Sequence, residues 1–180
     1  MRSTLTPLGA TGAGPWFPLD TLQSGFGVGY FCSVQESSTL TYKIQHGFYD
    51  PSKDEQQVYI TRSTTTATLT FLERACAPKI GDSIVVTGAG APLDGTFDIA
   101  GVTSSTVVTY AVANSGNTVS NAGAHALLIR TEDDPIVVSK TASTSGNIAF
   151  PINAMRLNVT AYTSGAVALT VNQGIFGGVN

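Results

Sequence analysis

The chain has 180 residues, a formal net charge of −3 and only 12% charged residues, long enough for one domain with an insertion and a real core. That balance excludes the basic footprint of a nucleic-acid binder and the polybasic segment of an anionic-lipid binder, so no nucleic acid and no membrane is expected as partner, and other proteins are. With 42% hydrophobic residues, the polar share falls to Ser, Thr, Asn and Gln, the composition of β-surfaces that pack on protein.

The opening MRSTLTPLGATGAG has no continuous apolar run, and nowhere do the roughly 18 to 20 apolar residues of a spanning helix occur. Neither export by a signal peptide nor membrane insertion is expected. Next, GPWFPLD sets Trp16 and Phe17 between Pro15 and Pro18. Proline holds the backbone extended, so Trp16, Phe17 and Pro18 are expected to form a stiff arm that anchors on a partner or subunit surface. The same rings also suit closing the end of the chain's own sandwich. In STLTYKIQH, Leu40, Tyr42, Ile44 and His46 fall on one face and Thr41, Lys43 and Gln45 on the other, a period of two that marks a half-buried antiparallel strand.

From Thr64 to Thr131 the runs ATLTF, DSIVVTG, GTFDIAGV, TVVTYAV and HALLIR alternate with Gly, Asn, Ser and Pro signals, the spacing of a small sandwich or barrel. APLDGTF carries an Asp-Gly pair and ANSGNTVS a second turn centre. The polar stretches YITRSTTT and RTEDDPIVV read as the exit and re-entry of an insertion. The expected organisation is therefore a discontinuous core domain of residues 1–63 and 132–180, with an inserted β-domain at 64–131. Further on, RLNVTAY groups Leu157, Val159 and Ala161, TSG turns, and AVALTVNQ groups Val167, Leu169 and Val171, which reads as a hairpin. The glycine-rich end GIFGGVN offers Ile175 and Phe176 for docking.

Catalytic signals are weak. G-x-S-x-G is absent, His46 continues an apolar strand face and reads as structural, and His125 sits at a strand entrance. The acidic runs YDPSKDE, with Asp50, Asp54 and Glu55, and TEDDP, with Glu132, Asp133 and Asp134, lack calcium-loop spacing and read as solvated loop charges. GAGAPLDG and SGFGVGY lack the spacing of a nucleotide fingerprint. Asn158, in a formal glycosylation sequence, reads as an outward-facing strand residue. Cys32 and Cys76 are expected as buried free thiols. No catalytic residue, metal ligand or cofactor is assigned.

GPWFPLD, then GFGVGYFCSV and TLTYKIQHGFYDP, and far downstream FPINAMRLNVTAYTSGAVALTVNQG, together resemble a family of small structural proteins of tailed bacteriophages. The similarity covers residues 14 to about 52 and about 148 to 174. The inserted KIGDSIVVTGAGAPLDGTFDIAGVTSSTVVTYAVANSG separately resembles small β-modules of phage tail and virion proteins. The resemblance implies a non-enzymatic particle component, and the location expected for it is the capsid surface, after synthesis in the host cytoplasm. It would self-associate as a dimer or trimer and bind the major capsid protein as a decoration or cement protein. A tail, neck or fibre-associated component is the alternative, and a carbohydrate-binding module using Trp16, Tyr30 and Tyr42 is a further one. The expected fold is all-β: an antiparallel, jelly-roll-like sandwich with an inserted small barrel or sandwich.

Overall fold

A computed structural model describes residues 2–21, 27–49, 54–113 and 119–174. Among them are strands β1 (Arg2–Thr4), β2 (Gly12–Ala13), β3 (Phe17–Pro18), β4 (Val28–Val34), β5 (Thr39–Phe48), β6 (Glu55–Ser63) and β7 (Thr66–Phe71). They continue with β8 (Ser83–Thr87), β9 (Gly95–Val102), β10 (Val107–Ala111), β11 (Val119–Asp133), β12 (Thr144–Ile148), β13 (Ala154–Ser164) and β14 (Val167–Gln173). All the pairings with a described register are antiparallel. The fold class is the all-β one expected from the periodicity.

The chain divides into two compact units, Met1–Gly47 with Glu132–Asn180, and Phe48–Thr131. The upstream boundary thus lies before β6, not after it. YITRSTTT is not a polar linker: Gln56, Val58, Ile60 and Arg62 of β6 alternate inward, and β6 pairs with both β7 and β11. The inward alternation is masked in the sequence because two of those four residues are polar.

In the second unit, six strands close on themselves in the order β11, β6, β7, β10, β9, β8 and back to β11. Closure removes the open edges of a sheet. A barrel this small is filled by its own side chains. Ile60, Leu69, Phe71, Ile84, Ile99, Val108 and Leu128 fill it, and β11 contributes the small Ala124 and Ala126 beside them. Phe97 and Tyr110 pack with ring centroids 4.5 Å apart. APLDG is not a two-residue turn: β8 and β9 are joined by residues 88–94, and Asp94 accepts the N–H groups of Ala89 and Gly90 at 2.7 and 2.9 Å. The turn centre of ANSGNTVS lies outside the described residues.

The first unit is a sandwich. One sheet has the order β1, β14, β4, β12, and the other places β13 between β5 on one side and β2 and β3 on the other. Val28, Tyr30 and Cys32 of β4 and Val167, Leu169 and Val171 of β14 are buried on the inner face of the first sheet. Leu40, Tyr42, Ile44, Leu157 and Val159 are their buried counterparts on the second. Residues 154–173 do not form the expected hairpin, because β13 pairs with β5 while β14 pairs with β1 and β4. The TSG link carries the chain from one sheet to the other, so the two apolar faces stack instead of the two edges pairing. Ala161 is exposed rather than grouped with Leu157 and Val159, because the register shifts between Val159 and Ala161; such a bulge inverts the alternation beyond it.

Gly165 makes the crossing possible. Its φ is +87°, and a Cβ there would collide with the side chain of Ser38 and approach its Cα within 2.7 Å. Gly165→Ala is therefore expected to destabilise the first unit by about 2 kcal/mol or more, from left-handed strain plus overpacking. Urea unfolding against the wild type measures it.

Candidate interaction site

Trp16 and its neighbours lie on their own unit. Phe17 and Pro18 pair with Met155 and Ala154, Gly12 and Ala13 pair with Val159 and Asn158, and Leu19 N–H donates to Asn153 O at 2.8 Å. The arm also reaches the other sheet: the Gln173 carboxamide donates to Asp20 O and accepts Asp20 N–H. Pairing puts Trp16 on the outer face of its sheet, where the Arg156 guanidinium sits 4.4 Å from the ring centroid. That cation meets the negative face of the indole, an attraction worth about 1 to 2 kcal/mol when partly desolvated.

Arg156 is one end of a polar row. Its Nε donates to Gln45 Oε1 at 2.9 Å, which also accepts from Asn158 Nδ2. Gln45 Nε2 donates to Asp133 Oδ1 at 2.9 Å, and Lys43 Nζ binds Asp133 Oδ2 at 2.8 Å. Burial pushes the Asp133 carboxyl up, but the bonds from Lys43 and Gln45 and the charges of Lys43 and Arg156 outweigh it and hold it below its ordinary value. Arg156→Ala is expected to cost about 1 to 3 kcal/mol and to shift the emission of Trp16, the only tryptophan of the chain. Thermal unfolding followed by fluorescence checks both.

A second cluster lies inside the sandwich. Asp134 is 3% exposed, Tyr30 4% and His46 2%. Asp134 Oδ2 accepts the Tyr30 hydroxyl at 3.1 Å, and Oδ1 accepts the N–H groups of Ile136 and Val137 at 2.8 and 2.9 Å. His46 Nε2 lies 3.1 Å from Asp134 Oδ2 but is not aligned for a hydrogen bond. Burial lowers the His46 pKa against the pull of Asp134, disfavouring the imidazolium; burial also raises the Tyr30 hydroxyl and pushes the Cys32 thiol up to about 12.

These positions correct the reading of both acidic runs as solvated loops. Asp134 and Asp54 are buried because each meets a remote partner: Tyr30 for Asp134, and Arg130, 3.1 Å away, for Asp54. Asp50 lies outside the described residues, and Glu55 and Glu132 are exposed. His125 is exposed on the barrel, in register with Gln57 and Thr87. Both cysteines are buried free thiols, as expected. Tyr30 and Tyr42 present no ring face for a sugar, since both are buried. Ile175 and Phe176 lie outside the described residues.

What the first unit offers outward includes an apolar end and a sheet face that carries an exposed aromatic ring among hydroxyls. Phe17 pairs with Met155 and Met155 with His46, and Phe150 packs edge-on against His46 at 5.7 Å. Phe17 is half-buried and Phe150 is 48% exposed. On the four-stranded sheet, Thr4, Thr170, Phe31 and Ser145 form one cross-strand row, with Phe31 47% exposed. Sequence reasoning missed Phe31 and Phe150; the alternation of VGYFCSV, which puts Phe31 opposite Tyr30 and Cys32, was the available signal for the first.

Comparison with known proteins returns no match: no family model, no curated protein and no solved structure is similar to this chain.

The lowered His46 pKa fixes the sign of a pH effect. The folded chain disfavours the imidazolium, so His46 contributes stability that is intact above pH 6.5 and lost as the pH falls below it, at no more than about 1.4 kcal/mol per pH unit. Asp133 adds a loss in the same direction at lower pH, through the carboxylate range. Denaturant midpoints between pH 7.5 and 5 are expected to fall in the wild type and to flatten in His46→Gln, the pH values being about one unit either side of the imidazole range.

Proposed function

We propose that this chain is a non-enzymatic structural protein of a tailed-bacteriophage particle, a decoration or cement protein that binds the major capsid protein lattice and associates with its own copies. The sequence resemblance over residues 14 to about 52 and about 148 to 174 supplies the particle. The observation that carries the adhesive reading is the direction in which the chemistry faces. The His46, Asp134 and Tyr30 groups are turned into the core, while Pro18, Phe31 and Phe150 face solvent. Interfaces between proteins are depleted in charge at their centre and enriched in aromatics, and Phe17, Pro18 and Phe150 at the end of the sandwich match that composition.

A shell lattice needs only modest affinity per contact, because many symmetric copies bind together. The arm contributes by its extended, proline-fixed backbone, which holds Phe17 and Pro18 in place before contact. Quantitative mass spectrometry of purified particles tests the reading: a protein of the shell appears in proportion to the major capsid protein, and one confined to a neck or tail ring appears at a small fraction of it. Phe150→Ser, at a ring already half in water, is expected to cost about 1 kcal/mol of stability and to lower particle occupancy. Full occupancy by that variant removes this end of the sandwich as the contact.

A further inference from the structure

We propose that the outer face of the four-stranded sheet carries a binding groove for a neutral saccharide. Three strands build it. Gly29 of β4 stands in register between Asn147 of β12 and Asn172 of β14. Lacking a side chain, it leaves a notch between two carboxamides, one that a Cβ would begin to fill at 3.3 Å from Asn147 Oδ1. Two hollows, of about 460 and 480 Å³, share these three residues and so form one groove across the strands. One row along, the exposed Phe31 ring stands between Ser145 and Thr170. In the other direction the groove continues past Gly27, Ile148 and Gly174.

The chemistry of this lining selects a ligand class. Among the described residues no carboxylate, amine or guanidinium lines either hollow, so these linings offer a phosphate, a nucleic acid or an acidic peptide no counter-charge. A pyranose ring has an apolar face of C–H groups and an edge of adjacent hydroxyls that both donate and accept. Phe31 supplies an aromatic surface for the first. Asn147 and Asn172 each supply a carbonyl and an NH₂ in one plane for the second, and among the described residues neither carboxamide is hydrogen-bonded to protein. Ser145 and Thr170 add hydroxyls between them. A concave site with one aromatic wall and a few convergent polar groups is the form that small-ligand sites take. One strand out, Arg2 stands opposite Asn172 in register, so the test includes acidic sugars as an arm. The proposal goes beyond adhesion to a capsid and holds or fails without it.

The test uses the purified full chain on immobilised neutral oligosaccharides of glucose, mannose, galactose and N-acetylglucosamine, beside sulfated and sialylated ones, followed by titration of the best binder. The expected result is saturable binding to a neutral oligosaccharide in the millimolar range or tighter, insensitive to salt. Asn147→Ala and Phe31→Ala should each weaken it about tenfold, the factor that loss of one contact supports, with melting temperature unchanged. Gly29→Val should abolish it by filling the notch. Absence of saturable binding to every neutral sugar, binding that survives all three changes, or binding confined to acidic sugars and lost in salt overturns the proposal.

Discussion

A carboxylate enclosed in a β-sandwich must be met by donors or it is costly, and Asp134 is where this chain meets that demand. Its two oxygens take the hydroxyl of Tyr30 from one sheet and two N–H groups of its own following turn. Its backbone N–H donates to Ile44 of the other sheet at 2.9 Å. Desolvation of a charged group costs several kcal/mol unless such partners are supplied. Asp134 is also among the first residues after the chain leaves the barrel unit. The segment that follows is held alongside β5, with Val137 O accepting from Ile44 N and Lys140 exchanging both backbone bonds with Tyr42. The re-entry point is thereby placed by chemistry as well as by connection, and the inner faces of β4 and β5 are kept in register by the same group.

The outer face of the β13 and β5 sheet shows the opposite solution to the same problem. Arg156 and Gln45 are buried there, yet each is covered by polar or aromatic partners laid on the face: the indole of Trp16 above the guanidinium, and Asp133 and Asn158 around the Gln45 carboxamide. The arm thus has an internal task before any external one. Residues that looked free for a partner are partly consumed in covering a charged row, and what remains outward is the edge formed by Phe17 and Pro18. A surface built this way can bind by shape without placing a charge at the centre of the contact.

How much of this was legible in the sequence depended on whether a feature was local. The β5 strand was, because Leu40, Tyr42, Ile44 and His46 alternate without interruption, and so were the short apolar runs of the barrel. β6 was not, since Gln56 and Arg62 occupy inward positions and imitate a linker. The stretch from Leu157 to Val171 alternates as a hairpin would, and nothing in that alternation tells edge pairing from face stacking. The distinction lies in Gly165 and in Ser38, which is far away in sequence. Asp54 and Asp134 were misread for a related reason: Arg130 and Tyr30, which explain their burial, are 76 and 104 residues away. The exposed polar notch at Gly29 is invisible in one dimension, because it exists only once β12 and β14 flank β4.

The placement of β1 has a consequence for how the molecule is made. Arg2, Ser3 and Thr4 are in register with Asn172, Val171 and Thr170, so the first of the described strands waits for the last. Pairing across so long a loop forms slowly, and until it forms the β14 slot beside β4 is an open sheet edge. The barrel, whose strands all lie between Glu55 and Asp133, carries no such dependence. A growing chain would therefore hold a finished barrel between two unfinished halves of a sandwich until β14 arrives beside β4.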